Sequence, residues 1–266
     1  PPGFVITAQA YSHFIAHSDI NKKIKEILQT TDVDDTKELD ENSRKIREII
    51  TNSRLPEDLE SEIVESYSLL DINRDAILNS GGTALDILKR SNERAFVAVR
   101  SSATTEDLSD ASFAGQQETF INIKGDSALL LAVKKCFASL FTARAIYYRK
   151  KKGFKEESAL LAVVIQKMID SEKSGVIFSR DPVNLQQDNI VIEAVYGQGE
   201  GIVSGTIKPD HYLVSRSLDI LERALANKKI AITRNSSGES IEITLTQEKS
   251  HSQVLKDYEI KKLADY

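Results

Sequence analysis

A run of β-forming residues that ends on an arginine and opens into small hydroxyl-bearing residues is the densest chemical feature of the chain: Val97-Ala98-Val99-Arg100-Ser101-Ser102-Ala103-Thr104-Thr105-Glu106-Asp107. It runs on through Ser112-Phe113-Ala114-Gly115-Gln116-Gln117-Glu118-Thr119-Phe120. A buried strand that delivers one guanidinium to its C-terminal end, followed by a loop offering backbone N–H groups, suits an anion, and phosphate in particular. The same spacing also fits a purely structural arrangement, in which Arg100 pairs with Glu106 or Asp107 and the Ser/Thr run caps a turn. Spacing alone leaves both readings open.

Other positions carry weaker signals. Arg144, in Thr142-Ala143-Arg144-Ala145-Ile146, is either a second phosphate ligand or half of an ion pair on a helix surface. Glu193, near the end of Asn189-Ile190-Val191-Ile192-Glu193-Ala194, either faces a ligand or satisfies a buried backbone group. Gln166-Lys167-Met168-Ile169 closes an apolar run that on local pattern reads as a core strand. His13 and His17 stand four apart on a predicted helix face, but Phe14 occupies the position where the zinc-protease motif needs Glu, and no third ligand is evident. Gly197-Gln198-Gly199-Glu200-Gly201 has its third Gly one residue early for a dinucleotide fingerprint. Neither pattern makes a case for a metal or for a doubly wound dinucleotide fold.

The elements that must position these residues fall into two regimes. From Thr7, an N-cap by residue type, helical spacing runs through TAQAYSHFIAH, INKKIKEILQT, TKELDENSRKIREII and, with Pro56 at a helix start, EDLESEIVESYSLL. Residues 7 to about 93 are therefore expected to be mainly helical. At Ala95 the pattern turns to period two and short apolar runs: AFVAVR, QETFINI, ALLAVVIQKMI, SGVIFS and NIVIEAVY. A helix from about Ser127 to Arg149 separates the second from the third. A last hairpin, KKIAITR and SIEITLT, leads into a polar helix beginning near Gln247. The fold class is α+β, with no internal repeat and no low-complexity segment.

Composition sets outer limits. With 266 residues, 41% hydrophobic and 28% charged with both signs interspersed, the chain has the profile of a globular protein with a sizeable core. A formal net charge of -5 provides no overall basic field to recruit nucleic acid. The densest basic run, Arg149 to Lys152 with Lys155, sits at a predicted helix end, where cations complement the dipole. The single cysteine, Cys136, excludes an internal disulfide and is expected to face a core in LLLAVKKCFASLF. No apolar run reaches the length of a bilayer span, and a cytoplasmic location with no membrane and no nucleic-acid partner is expected.

VRSSATTEDLSDASFAGQQETFINI resembles the signature strand and glycine-containing loop of the phosphoenolpyruvate synthase and pyruvate phosphate dikinase family. The similarity continues through SLFTARAIYYR, VIQKMIDSEKSGVIFSRDP and IEAVYGQGEGIVSGTIKPDHYLV, and LKDYEIKKLADY resembles the helix that follows. PPGFVITAQAY is similar to the segment just after the family's N-terminal glycine-lysine motif, while residues 20 to 93 match weakly.

The resemblance implies an ATP-grasp-like fold, in which two lobes hold ATP between them and a phosphoryl group passes to a histidine on a separate swivelling domain. On that basis residues 1–93 form a mainly helical N-terminal part, 94–216 the core lobes, and 217–266 a hairpin and helix leading to further elements. Arg100 matches the phosphate-contacting arginine, and Gly115, Gln116, Gln117 and Thr119 fall in the loop over the triphosphate. Gln166, Lys167, Met168 and Ile169 match the segment joining the lobes, whose backbone reads the adenine edge; Arg144 and Glu193 are further candidates for ATP contact. The implied cofactors are ATP and magnesium, with no metal ligands expected within this segment. The implied partners are a phosphohistidine domain and a pyruvate-binding domain of the same full-length chain. His211 and His251 lack the threonine-histidine-alanine context of the phosphocarrier. The glycine-lysine motif and the acidic metal-binding motif of the family are absent from the sequence, so the chain is expected to be cut at both ends and close to inactive alone. A pyruvate phosphate dikinase or rifampin phosphotransferase nucleotide domain, or a non-catalytic ATP-sensing module, are the other readings.

Overall fold

A computed structural model describes residues 1–17, 19–70, 94–103, 118–153, 160–184 and 188–266. The chain divides into two compact units, Pro1–Met168 and Ile169–Tyr266, and both mix helix with sheet. Each has its own core.

In the first unit four strands, β1 (Gly3–Ile6), β2 (Val97–Ala103), β3 (Thr119–Ile123) and β4 (Leu161–Lys167), form an antiparallel sheet in the order β1-β4-β2-β3. Strand side chains alternate between faces. Val97, Val99 and Ser101 of β2 and Leu161, Val163 and Ile165 of β4 are buried on one face. That face packs mainly on Ala8–Ala16 and Asp126–Ala138, and further helices pack on these, their apolar residues recurring every three or four positions. The helices are α1 (Ala8–Ala16), α2 (Ile20–Thr30), α3 (Thr36–Asn52), α4 (Glu57–Leu69), α5 (Asp126–Ala138) and α6 (Ala143–Lys151). Ile20, Ile24 and Leu28 form such a stripe on α2, and Leu59, Ile63 and Tyr67 on α4. The Thr7 hydroxyl caps α1 through the Ala10 N–H, and the Asp35 carboxylate caps α3 through the N–H groups of Lys37 and Glu38. Phe137 of α5 anchors the layer, its ring 5.2 Å from Tyr11 and 5.5 Å from Phe14.

The helix expected over residues 127–149 is broken. Ser139–Phe141 form a 3₁₀ turn, after which the Thr142 hydroxyl accepts from the Ala145 N–H at 3.2 Å and starts α6 afresh. Ser43 of α3 fixes the break by donating to the Phe141 carbonyl at 2.7 Å. Of the helical stretch expected from 7 to 93, the described part to residue 69 forms α1 to α4; residues 71–93 lie outside the described residues.

The second unit holds an antiparallel sheet in the order β5 (Lys173–Phe178), β6 (Ile190–Tyr196), β7 (Asp210–Val214) and β8 (Ile220–Ala224). A separate hairpin pairs β9 (Ile230–Arg234) with β10 (Ser240–Thr244). Three short helices complete it: α7 (Glu200–Val203), α8 (Gln247–His251) and α9 (Asp257–Asp265). Ile190, Ile192, Ala194 and Tyr196 of β6 pack with Tyr212 and Val214 of β7 against Val254, Leu255 and Ile260. Gly197, directly after β6, has φ +83°, and a Cβ there would lie 2.1 Å from the Ile232 carbonyl oxygen. Only glycine permits that approach, through which the Gln198 N–H reaches the same oxygen at 2.7 Å.

Candidate functional site

The face of the first sheet that turns away from the helices carries Ala98, Arg100 and Ser102 of β2, Val164 and Gln166 of β4, and Thr119 of β3. Their pairing makes them neighbours: Arg100 stands opposite Thr119 on one side and Val164 on the other, and Ala98 stands opposite Gln166. Gly3 of β1 lies on the far side of Gln166. Three of the residues expected to meet a nucleotide, Arg100, Thr119 and Gln166, thus share one open sheet face.

Arg100 itself is exposed, although the strand that carries it is buried on its other face. The reason is alternation: the apolar residues of the run, Val97 and Val99, take the core face, so the arginine between Val99 and Ser101 is turned outward. Among the described residues no ion pair reaches its guanidinium. Glu106 and Asp107, the candidate structural partners, lie outside the described residues, as do Gly115, Gln116 and Gln117.

Ser101 faces inward and acts on the chain rather than on a ligand. Its N–H and its hydroxyl both donate to the Glu118 carbonyl at 3.2 Å, and its oxygen accepts from the Glu118 N–H at 3.1 Å. Cys136 of α5 is fully buried behind it, with its sulfur 3.8 Å from the Val99 carbonyl oxygen, and burial pushes the thiol up to about 12. It is a packing residue and not a nucleophile at neutral pH.

At the end of β4 the backbone is partly committed. The Lys167 N–H donates to the Pro2 carbonyl at 2.9 Å and the Met168 N–H to the Phe96 carbonyl at 2.8 Å. The Lys167 ammonium donates to the Leu70 carbonyl at 3.4 Å. Among the described residues the Met168 carbonyl and the Ile169 N–H, the two ends of a single peptide group, have no backbone partner.

Arg144 is not on this face, and Glu193 belongs to the second unit. Arg144 lies exposed in the first turn of α6, within the helical layer behind the sheet. Glu193, in the second unit, is half-buried on β6 opposite Val176 and His211, with its carboxylate 3.6 Å from the His211 ring nitrogen. Among the described residues no group of three or more His, Cys, Asp or Glu could hold a metal ion. No helix among the described residues is long and apolar enough to cross a membrane.

Two constellations escape sequence reasoning. Arg47 of α3 donates to the Glu118 carboxylate at 2.7 Å, across 71 positions. In the second unit Asp210 and Lys228 form an ion pair with both side chains fully buried. Asp210 also accepts from the Ala226 N–H at 2.8 Å, the Val254 N–H at 2.9 Å and the Tyr212 hydroxyl at 3.1 Å, while Lys228 donates to the Ala226 carbonyl at 2.9 Å. Burial raises the Tyr212 hydroxyl above its ordinary range. With every oxygen of Asp210 satisfied, this is a structural pin. Only a buried-sounding context around Lys228, Leu225-Ala226-Asn227-Lys228-Lys229-Ile230, could have hinted at it.

The chain is similar to known proteins over nearly its whole length. The chain is 43% identical over 265 residues to a probable phosphoenolpyruvate synthase of Methanocaldococcus jannaschii, covering 99% of this chain and 21% of that protein. It is 46% identical over 264 residues to a probable phosphoenolpyruvate synthase of Archaeoglobus fulgidus, covering 99% of this chain and 32% of the relative. Against the phosphoenolpyruvate synthase of Pyrococcus furiosus the identity is 37% over 268 residues, covering 88% and 31%. The chain thus spans a third or less of the length of these relatives. The family model for the pyruvate phosphate dikinase AMP/ATP-binding domain matches residues 1–266 from end to end. With that match over its whole length, the chain belongs to the pyruvate phosphate dikinase AMP/ATP-binding domain family.

Proposed function

We propose that the open face of the first sheet is an ATP-binding surface, and that the protein uses it to pass a phosphoryl group from ATP to a histidine on a separate domain, as in a phosphoenolpyruvate synthase-like dikinase. The observation that carries this reading is Arg100: an exposed guanidinium, beside the Thr119 hydroxyl, with no ion pair among the described residues. An exposed cation next to a hydroxyl on a sheet face is poised for the oxygens of a polyphosphate, whose charge it neutralises as transfer proceeds. Gly115, Gln116 and Gln117 would add backbone donors to the same phosphates. Gln166, Lys167, Met168 and Ile169 are assigned to the adenine edge, which backbone groups of this segment would read, with the Met side chain giving adaptable apolar contact. Glu193, on the second unit, stays a candidate for ATP contact.

An ATP-grasp-like arrangement of two lobes is part of the proposal. Magnesium, when bound, would neutralise phosphate charge; its ligands and a further phosphate-binding lysine are assigned to residues outside these 266. The acceptor domains, and pyruvate as final acceptor, are part of the same proposal, in keeping with the phosphoenolpyruvate synthase names of the relatives. Calorimetric titration of the natural protein with ATP tests the reading. Binding with one site per chain, weakened by Arg100→Met, is the expected result; for the 266-residue segment alone the affinity should be much lower. Absence of ATP binding by the natural protein, or binding that Arg100→Met leaves unchanged, would overturn it.

A further inference from the structure

β3 enters its sheet through a bulge. Val97 pairs with Ile123 but Val99 pairs with Phe120, so Ile121 and Asn122 together stand opposite Ala98 alone. Asn122 adopts the left-handed conformation there, with φ 59°, which Asn tolerates better than most residues. The extra residue inverts the alternation of the strand. Phe120 and Ile123, three apart, both meet core-facing partners, and Thr119 comes to stand beside Arg100. Regular pairing continued from Val97 and Ile123 would instead set Phe120 beside Arg100 and turn Thr119 toward the helices. The bulge decides whether a hydroxyl or a phenyl ring neighbours the guanidinium.

Two sets of contacts hold the bulged register. The Ser101–Glu118 backbone and hydroxyl bonds are one. The other is the Arg47–Glu118 ion pair, 2.7 Å long, with the two side chains 39% and 28% exposed. Lys135 of α5 lies on the same side, its ammonium 5.7 Å from the centre of the Phe120 ring. A slip of one residue would turn Glu118 to the open face and away from α3, so the Arg47 pair and the slipped register exclude each other.

We infer that Arg47 is a positioning residue for the nucleotide face: through Glu118 it locks β3 in the register that presents Thr119 beside Arg100. The inference rests on the ATP reading above. Arg47 and Glu118 border an open groove of about 880 Å³, so a replacement side chain there has room and does not act by a clash.

The test compares ATP affinity, turnover at saturation and melting temperature for the natural full-length protein, Arg47→Glu, Glu118→Arg and the double variant carrying both. Reversal of one charge sets like charges together in the bulged register and favours the slip. Because apparent affinity falls with the competent fraction, each single variant should bind ATP about fivefold or more weakly. Turnover at saturation should stay within about twofold, and the double variant should recover the affinity. Where a reversal fails to fold, Arg47→Gln should weaken ATP binding in the same direction. Unchanged affinity in the single variants, whatever their melting temperature, overturns the inference; so does a loss the double variant does not restore. If the natural protein binds no ATP, it is the ATP reading that fails. The register lock is then decided by hydrogen exchange at the Thr119 and Phe120 amides, which should quicken in Arg47→Glu and recover in the double variant.

Discussion

Arg100 shows how a strand buried on one face can still present a cation on the other. Its flanking Val97 and Val99 are fully buried, yet the strand period turns the guanidinium outward. Exposure sharpens the prediction for Arg100→Met in the full-length protein. Removal of an exposed side chain should change stability by no more than about 0.5 kcal/mol. Loss of a preorganised phosphate contact should lower phosphorylation of the acceptor histidine from ATP on the order of 10²- to 10³-fold. Arg100→Lys should fall between, since it keeps the charge but loses the planar fork. Melting temperature and phosphohistidine formation, measured together, decide. A variant that melts early but phosphorylates normally would show that Arg100 serves a structural ion pair.

At the scale of elements, α9 is held by a carboxylate whose charge matters. Glu259 accepts from the Lys173 ammonium at 2.8 Å and from the Lys256 N–H at 2.6 Å, and these two, Lys173 first, hold its carboxyl below the usual range. A depressed folded value means that the contribution is present above the unfolded value, about 4.3, and is lost as pH falls through the folded one. Acidification from about pH 5 to pH 3 should therefore loosen the amides of 257–265, and Glu259→Gln should abolish that step while weakening the helix at neutral pH; hydrogen exchange against pH checks both. The strands were legible because Val97, Val99, Leu161, Val163 and Ile165 alternate, and the helices because stripes such as Ile20, Ile24 and Leu28 repeat. The break at Ser139–Phe141 was not, since Ser43, which stabilises it, lies 98 positions from Phe141. The β3 bulge was invisible for a related reason: register belongs to a pair of strands, and TFINI alone does not say which of its residues will face Arg100. Of the candidate site, residue types and strand ends could be read directly. Which groups share a face depended on pairing that only the folded sheet supplies.

For the whole molecule, the separate apolar cores of the two units, among the described residues, lead us to expect two cooperative units. The apolar cluster around Phe14, Phe137 and Ile165 belongs to residues 1–168, and that around Ile192, Tyr212 and Ile260 to residues 169–266. The buried Asp210–Lys228 pair lies in the second unit, and it joins β7 to the segments at 226–228 and 254–255. Two charges taken out of water are worth little net, but removing one leaves the other uncompensated at a cost of about 3–5 kcal/mol. Lys228→Met should impose that cost by stranding the Asp210 carboxylate among Tyr212, Ala226 and Val254. Asp210→Asn should also be costly, because the amide NH2 replaces one accepting oxygen and meets an N–H donor there, while the Lys228 ammonium loses its counter-charge. Replacing both partners by apolar residues of similar volume should recover much of the loss. Since the second unit has its own core, the damage should be selective. Peptide-resolved hydrogen exchange on Lys228→Met should show residues 190–196, 210–214 and 254–263 losing protection while 97–101 and 129–137 keep theirs. Equal loss in both sets would mean that the chain unfolds as one cooperative unit, and unchanged protection at 210–214 would mean that the buried pair contributes nothing to holding β7 in place.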